Sequence, residues 1–122
     1  MQTLIRWLGQ LAEHPHLSEL YYRGIHDFES LEGADLVRFG VLMNQAFHIV
    51  NEMYYQYLEG HLDPRVWREV EATMREINAY PGVQAWWRLR AHWFSEEFAA
   101  HINQLQQTAK ALSLYREANP DQ

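Results

Sequence analysis

Residues 34 to 59 place the strongest limit on what this chain can fold into. Apolar side chains recur through this segment every three or four residues, among them Leu36, Phe39, Met43 and Phe47 on one side. This is the spacing of an α-helix. Further apolar residues lie on the other sides of the same segment, and a helix of that kind needs neighbours around it. The segment is therefore predicted to be a continuous central helix.

The other segments also have helical periodicity, and none alternates in the way a β-strand does. Asp63 before a proline and Ser95 before two glutamates are typical helix N-caps. Further helices are expected over about 3–13, 16–27, 64–79, 83–93 and from 95 to about 117. We predict an all-α protein, a compact bundle of five or six helices around the long one. Residues 1–122 are predicted to form a single domain with a frayed tail at 118–122.

The charge and composition of the chain exclude several classes of partner. The net charge is −6, and nine of the ten basic residues are arginines that form no basic cluster. Nucleic acid is therefore not an expected partner, and anionic membrane surfaces are disfavoured. The apolar runs are too short to span a bilayer, and the N-terminal segment is too short and polar for a signal peptide. The expectation is a cytoplasmic protein. The absence of cysteine excludes disulfides and thiolate metal sites.

The segment PGVQAWWRLRAHW, residues 81 to 93, concentrates tryptophan and arginine after a helix breaker. Trp86, Arg90 and Trp93 share one face of a helix, and Trp87 lies on another face about 100° away. One face can enter the core, and the other must lie at a rim or meet a second surface. Packing alone explains such a cluster, but tryptophan and arginine are also favoured at interfaces. The candidate interface residues are Trp7, Trp87 and Trp93.

A polar stripe interrupts the apolar pattern of the central helix. Asn44, His48, Glu52 and Tyr55 follow one another at helical spacing. His48 and Glu52 could hold a metal together or act as a base and its orienting partner, and the alternative is a buried hydrogen-bond network. A buried Glu52 would need a cationic partner, for which Arg90 is a candidate. The spacing lacks the repeats of known metal sites, so no metal or cofactor is predicted. The candidate pocket residues are Asn44, His48, Glu52, Tyr55, Trp86 and Arg90.

Three segments resemble an uncharacterised group of small bacterial helical proteins. These are NEMYYQYLEGHLDPRVW (51–67), YPGVQAWW (80–87) and WFSEEFAAHI (93–102), and the match covers roughly residues 10 to 106. The resemblance implies a helical fold but carries over no catalytic residue, because the function of the group is not established. Many of its members have a transmembrane helix before this domain, whereas this sequence begins with a short helix that polar residues interrupt.

Two functions agree with these patterns. The first is a non-enzymatic module that self-associates, as a homodimer, or binds another protein, since aromatic residues are abundant and no catalytic motif is present. The second is a small-molecule-binding or hydrolytic protein with a pocket between the central helix and the tryptophan-rich helix. The sequence favours the first, and it favours a protein that is not an enzyme.

Overall fold

The computed structural model describes residues 2–109. Within that range the chain forms six α-helices and no β-strand, which confirms the all-α prediction. The helices are α1 (Gln2–Glu13), α2 (Pro15–His26), α3 (Gly33–Leu58), α4 (Pro64–Ile77), α5 (Pro81–Arg90) and α6 (Glu96–Thr108). Two 3₁₀ turns, Phe28–Ser30 and Ala91–Trp93, follow α2 and α5. The predicted extension of the last helix to about 117 and the frayed tail at 118–122 lie outside the described residues.

Most helix ends follow the local signals in the sequence. The carboxylate of Asp63 accepts a hydrogen bond from the backbone N–H of Arg65 at 2.8 Å. The hydroxyl of Ser95 accepts one from the backbone N–H of Phe98 at 3.1 Å. Gly60 follows α3 with a φ of +78°, the left-handed conformation that commonly ends a helix and that glycine adopts without strain. These caps satisfy backbone groups that each helix end would otherwise leave without partners.

One helix-breaking proline lies at a different position in the helices from the one predicted. Pro81 was expected to end α4 and to precede a helix over 83–93, but α4 ends at Ile77 and Pro81 is the first residue of α5. Proline suits this position because the first N–H of a helix has no intrahelical acceptor. The α-helix then stops at Arg90, and a 3₁₀ turn carries the chain on to Trp93.

Helix α3 is the continuous central helix that the sequence predicted. Phe39, Met43, Phe47 and Val50 on α3 are almost fully buried. α1, α2, α4 and α5 all pack on α3, and α6 reaches its C-terminal half through ring contacts of Tyr54. The N-terminal half is covered less completely, and the apolar side chains around Val37 therefore remain exposed.

Helices α2 and α5 cross at a contact that only glycine permits. A Cβ atom added to Gly82 would lie 1.8 Å from the carbonyl oxygen of Gly24 and 2.7 Å from the Cα of Ile25. Gly24 in turn lies against the ring of Phe39, where an added Cβ would come within 2.2 Å of Cδ1. The two glycines therefore fix how closely α5 approaches the rest of the bundle, and with it the position of the tryptophans.

His101 on α6 is packed between α3 and α4. Its ring stacks on Tyr54 with centroids 4.8 Å apart, and its Nε2 lies 3.3 Å from a carboxylate oxygen of Glu71. Burial lowers the pKa of His101 below 6.5, and the charge of Arg75 acts in the same direction, while Glu71 opposes both. Loss of solvation thus outweighs the attraction of the carboxylate.

Acidification is expected to destabilise the fold through His101. Because its pKa is lower in the folded chain, the unfolded chain takes up the proton first as pH falls through about 6.5. The free energy of unfolding of the parent should therefore decrease between about pH 7.5 and about pH 5. In His101→Gln the decrease over the same range should be smaller. Urea unfolding at both pH values measures the difference, and equal pH dependence in the two proteins would contradict it.

Candidate binding cleft

A cleft of about 620 Å³ opens between the N-terminal half of α3 and α5, and it is called the α3–α5 cleft below. Its α3 wall consists of Leu36, Val37, Gly40, Val41 and Asn44. Its opposite wall consists of Trp86, Leu89 and Arg90 on α5 and Trp93 in the 3₁₀ turn that follows. The turn between α2 and α3 adds Phe28, Glu29 and Leu31. The cleft lies between the central helix and the tryptophan-rich helix, where the sequence placed a candidate pocket.

The walls of the cleft expose several large apolar side chains to solvent. Val37 retains 65% of its accessible surface, Val41, Leu89 and Trp93 each retain 51%, and Leu36 is also exposed. Isolated exposed apolar residues are ordinary, but a contiguous group on two facing helices is not. The clustering marks this surface as a place where another molecule can bury apolar area.

Trp86 forms the inner part of the cleft and has an unused hydrogen-bond donor. Its ring packs on Phe47 with centroids 5.1 Å apart, and its Nε1 lies beside Gly40, where an added Cβ would be in ordinary van der Waals contact at 3.8 Å. Trp7 donates to the carbonyl oxygen of Leu42 at 3.0 Å. The Nε1–H of Trp86 has no acceptor among residues 2–109. This Nε1 is not among the fully buried side-chain atoms that lack a partner in the described chain, so the N–H is open to solvent.

Arg90 brings a cation to the α5 wall. Its guanidinium carbon lies 4.7 Å from the centre of the Trp93 ring, a cation–π contact, and Nη1 donates to the carbonyl oxygen of Leu89 at 3.3 Å. Within the described part of the chain, Arg90 has no carboxylate partner, whereas Arg23 pairs with Asp35 at 2.7 Å. Arg90 is therefore a cation without an ion-pair partner among the described residues, although the carboxylate of Glu29 also lines the cleft.

Asn44 is the third polar group of the cleft. Its Oδ1 is buried and accepts no hydrogen bond from any described residue. The carbonyl oxygen and amino group of an asparagine exchange places by rotation of the amide, so either can be turned toward the cleft. Buried polar atoms without partners are uncommon in native structures, and they call for a ligand or a water molecule.

The structure divides the predicted pocket residues into two sets. Asn44, Trp86 and Arg90 line the α3–α5 cleft, while His48, Glu52 and Tyr55 do not. His48 is exposed and stacks on Phe94 with centroids 4.3 Å apart. The hydroxyl of Tyr55 hydrogen-bonds to that of Ser95 at 2.5 Å.

The predicted ion pair of Glu52 is absent from the described chain. The carboxylate of Glu52 is exposed to solvent and pairs with no described cation, so the proposal that it meets Arg90 is wrong. Arg90 lies over Trp93 instead. An exposed carboxylate is hydrated by water, and the requirement for a buried countercharge does not arise.

The predicted interface residues are also divided. Trp7 and Trp87 retain only 4% and 1% of their accessible surface within one chain, and Trp87 donates to Oδ1 of Asn103 at 2.8 Å. Both indoles are enclosed within the described part of one chain, so their assignment to an interface stays a prediction that the burial does not support. Trp93 is half exposed and belongs to the rim of the cleft.

Several cleft residues were not among the sequence candidates. They are Phe28, Glu29, Leu31, Leu36, Val37, Gly40, Val41 and Leu89. Val37 and Val41 lie off the main apolar face of α3, and apolar residues in such positions predict neighbouring helices. The same signal equally fits an apolar wall with nothing covering it. The spacing of four residues between Val37 and Val41 was the sequence signal that both lie on one side of α3.

Two negative findings apply to the described residues. No group of three or more histidine, aspartate or glutamate residues within 2–109 could hold a metal ion. No helix in that range has both the length and the hydrophobicity that crossing a bilayer requires.

Comparison of the chain with protein-family models, with curated proteins and with solved structures finds no match. The resemblance to a group of small bacterial helical proteins therefore stays a prediction from the sequence motifs.

Proposed function

We propose that this chain is a non-enzymatic binding module that holds an apolar ligand in the α3–α5 cleft. The observation that carries the proposal is the cleft itself. Its volume of about 620 Å³ falls within the roughly 300–1,000 Å³ that is usual for ligand sites. Its walls are mainly apolar, with a few polar groups at fixed positions, as is also usual for such sites.

The composition of the cleft supports binding rather than hydrolysis. Glu29 and Arg90 are the ionisable residues among those that line it. His48 and Glu52, the acid–base candidates of the sequence, lie outside it. A hydrolytic site needs a general acid or base within hydrogen-bond reach of the reacting group, usually oriented by a second residue. That arrangement is not assembled along these walls.

A homodimer or a complex with another protein is the second candidate function. The exposure of Val37, Val41, Leu89 and Trp93 on two adjacent helices favours it, because two such surfaces can exclude water from each other. An amphipathic helix of a partner could also lie in the cleft. This candidate predicts that Trp93 becomes protected from solvent as protein concentration rises.

The ligand proposal is tested with 1-decanol and two matched variants. Leu89 lines the cleft and Leu58 does not, yet both lie near the C-terminal end of a helix and are similarly exposed, at 51% and 47%. Leu89→Asp should abolish the change in tryptophan emission that 1-decanol causes in the parent, because it places a charge on the apolar wall. Leu58→Asp should leave the response unchanged.

Two outcomes would contradict this account. One is a parent protein that gives no response to 1-decanol, and the other is equal loss of the response in both variants. Sedimentation over a wide range of protein concentration separates the second candidate. A dimer that Leu89→Asp converts to monomer would favour self-association over ligand binding.

A further inference from the structure

The polar groups of the α3–α5 cleft define the chemistry of its ligand, an inference that rests on the function proposed above. Trp86 offers an N–H that has no acceptor, Asn44 offers an amide that makes no hydrogen bond, and Arg90 offers a cation without a carboxylate, all with respect to the described residues. Each group is a side chain on a helix, so its position is set by the bundle. The three lie in one cleft with otherwise apolar walls.

All three groups are able to donate hydrogen bonds. An indole N–H and a guanidinium donate only, and an asparagine amide donates through Nδ2. Guanidinium is always charged at neutral pH, and its planar fork matches a carboxylate. A single ionised carboxylate would neutralise Arg90 and provide acceptors for the other two groups. A neutral head group would leave the cation uncompensated.

The remainder of the cleft accommodates an apolar chain. Leu36 and Asn44 are eight residues apart on α3, which corresponds to about 12 Å along the helix axis. Val37 and Val41 lie between them, and Leu89 lies on the opposite wall. The negative net charge of the protein acts only weakly on a bound anion, because salt screens charges beyond about 8 Å under physiological conditions. Glu29 also lines the cleft, from the turn between α2 and α3, so the preference for a carboxylate rests on Arg90 and not on the charge of the cleft as a whole.

We propose that the α3–α5 cleft binds a monocarboxylate with an apolar chain. The carboxylate lies at Arg90, Trp86 and Asn44, and the chain lies against Val37 and Leu89. Trp93 positions the guanidinium through its cation–π contact.

The test compares decanoate with 1-decanol, which has the same number of carbons and no charge. Both are titrated below the concentration at which decanoate forms micelles, with tryptophan emission and calorimetry as readouts. Decanoate should bind at least about tenfold more tightly, since hydrogen bonds to charged groups are the stronger kind. Affinity should also rise about fourfold for each methylene between octanoate and decanoate.

Arg90→Met removes the charge and retains an apolar side chain, and it should make decanoate bind no better than 1-decanol. Arg88→Met is the matched control. Arg88 lies on the same helix, is exposed and does not line the cleft, so its replacement should preserve the preference. Arg90→Lys retains the charge without the planar fork and should keep part of the preference, which gives a second variant if Arg90→Met does not fold.

The outcomes separate this inference from the proposed function. If 1-decanol and decanoate bind equally well to the parent, the carboxylate inference is overturned while the apolar ligand site stands. If neither binds, the proposed function fails as well. A preference for decanoate that survives in Arg90→Met, or that Arg88→Met removes, would also overturn the inference.

Discussion

Replacing Gly82 with alanine is expected to cost the protein about 3 kcal/mol or more of stability, enough to leave much of it unfolded if the parent is marginal. The new Cβ would lie 1.8 Å from the carbonyl oxygen of Gly24 and 2.7 Å from the Cα of Ile25. Both neighbours are backbone, so no rotation of a side chain can relieve the overlap. α5 would have to move away from α2. Urea unfolding followed by circular dichroism measures the change.

Gly9→Ala is the control for this effect. Gly9 lies within α1, and an added Cβ would have no neighbouring atom within 4 Å. Alanine costs less backbone entropy than glycine in a helix, so this variant should gain about 0.5–1 kcal/mol. If Gly82→Ala proved as stable as the parent, the close crossing of α2 and α5 would be wrong.

Removing the indole of Trp87 is the second large effect. Trp87→Ala should lower the free energy of unfolding by roughly 3–5 kcal/mol, the usual cost of deleting a large buried aromatic side chain. Trp87 stacks on Phe47 with centroids 5.1 Å apart. Its ring also contacts the rings of Phe94 and Phe98. The variant also removes the donor that Oδ1 of Asn103 accepts from.

Trp93→Ala provides a comparison with the same change in chemistry. Trp93 is half exposed, and the guanidinium of Arg90 makes a cation–π contact with its ring. That contact contributes about 0.5–1 kcal/mol at an exposed site, so the variant should lose far less stability than Trp87→Ala. Similar losses in the two variants, measured by chemical denaturation, would show that the two tryptophans do not differ in burial as described.

Much of the fold could be predicted from the sequence because its signals are local. The apolar spacing of residues 34–59 predicted the central helix, observed as Gly33–Leu58. Asp63 and Ser95 predicted two helix starts through their capping side chains. Pro81 was harder, since proline both stops a preceding helix and opens a following one, and the choice depends on where the chain turns.

The cleft could be predicted only in part, because it depends on how two helices are placed against each other. Asn44, His48, Glu52 and Tyr55 share one side of α3 and were expected to act together. Their span is about three turns, whereas the cleft ends near Asn44. The later residues of the stripe face the chain around Phe94 and Ser95 or solvent. The close crossing at Gly82 sets that placement, and helical spacing carries no information about it.

The two faces of the tryptophan segment could be recognised, but not which one enters the core. Trp86 and Trp87 are adjacent, have the same side chain and are both buried. They differ in their surroundings, since Trp87 reaches Asn103 on α6 while the N–H of Trp86 lies beside Gly40 at the cleft. Such a difference arises from contacts between residues far apart in the chain. For this reason the sequence did not indicate that Trp87, an interface candidate, is buried within the chain.

Helix α5 places Trp87 in a closed core and Trp86 at an open cleft on α3. Fluorine NMR of protein labelled with 5-fluorotryptophan tests it directly, through the solvent isotope shift of each of the five resonances. The account predicts a large isotope shift for Trp93 and small ones for Trp7, Trp67, Trp86 and Trp87, with the Trp86 and Trp93 resonances moving when 1-decanol is added. A solvent-exposed Trp87, or a Trp93 as protected as the others in dilute protein, would contradict it.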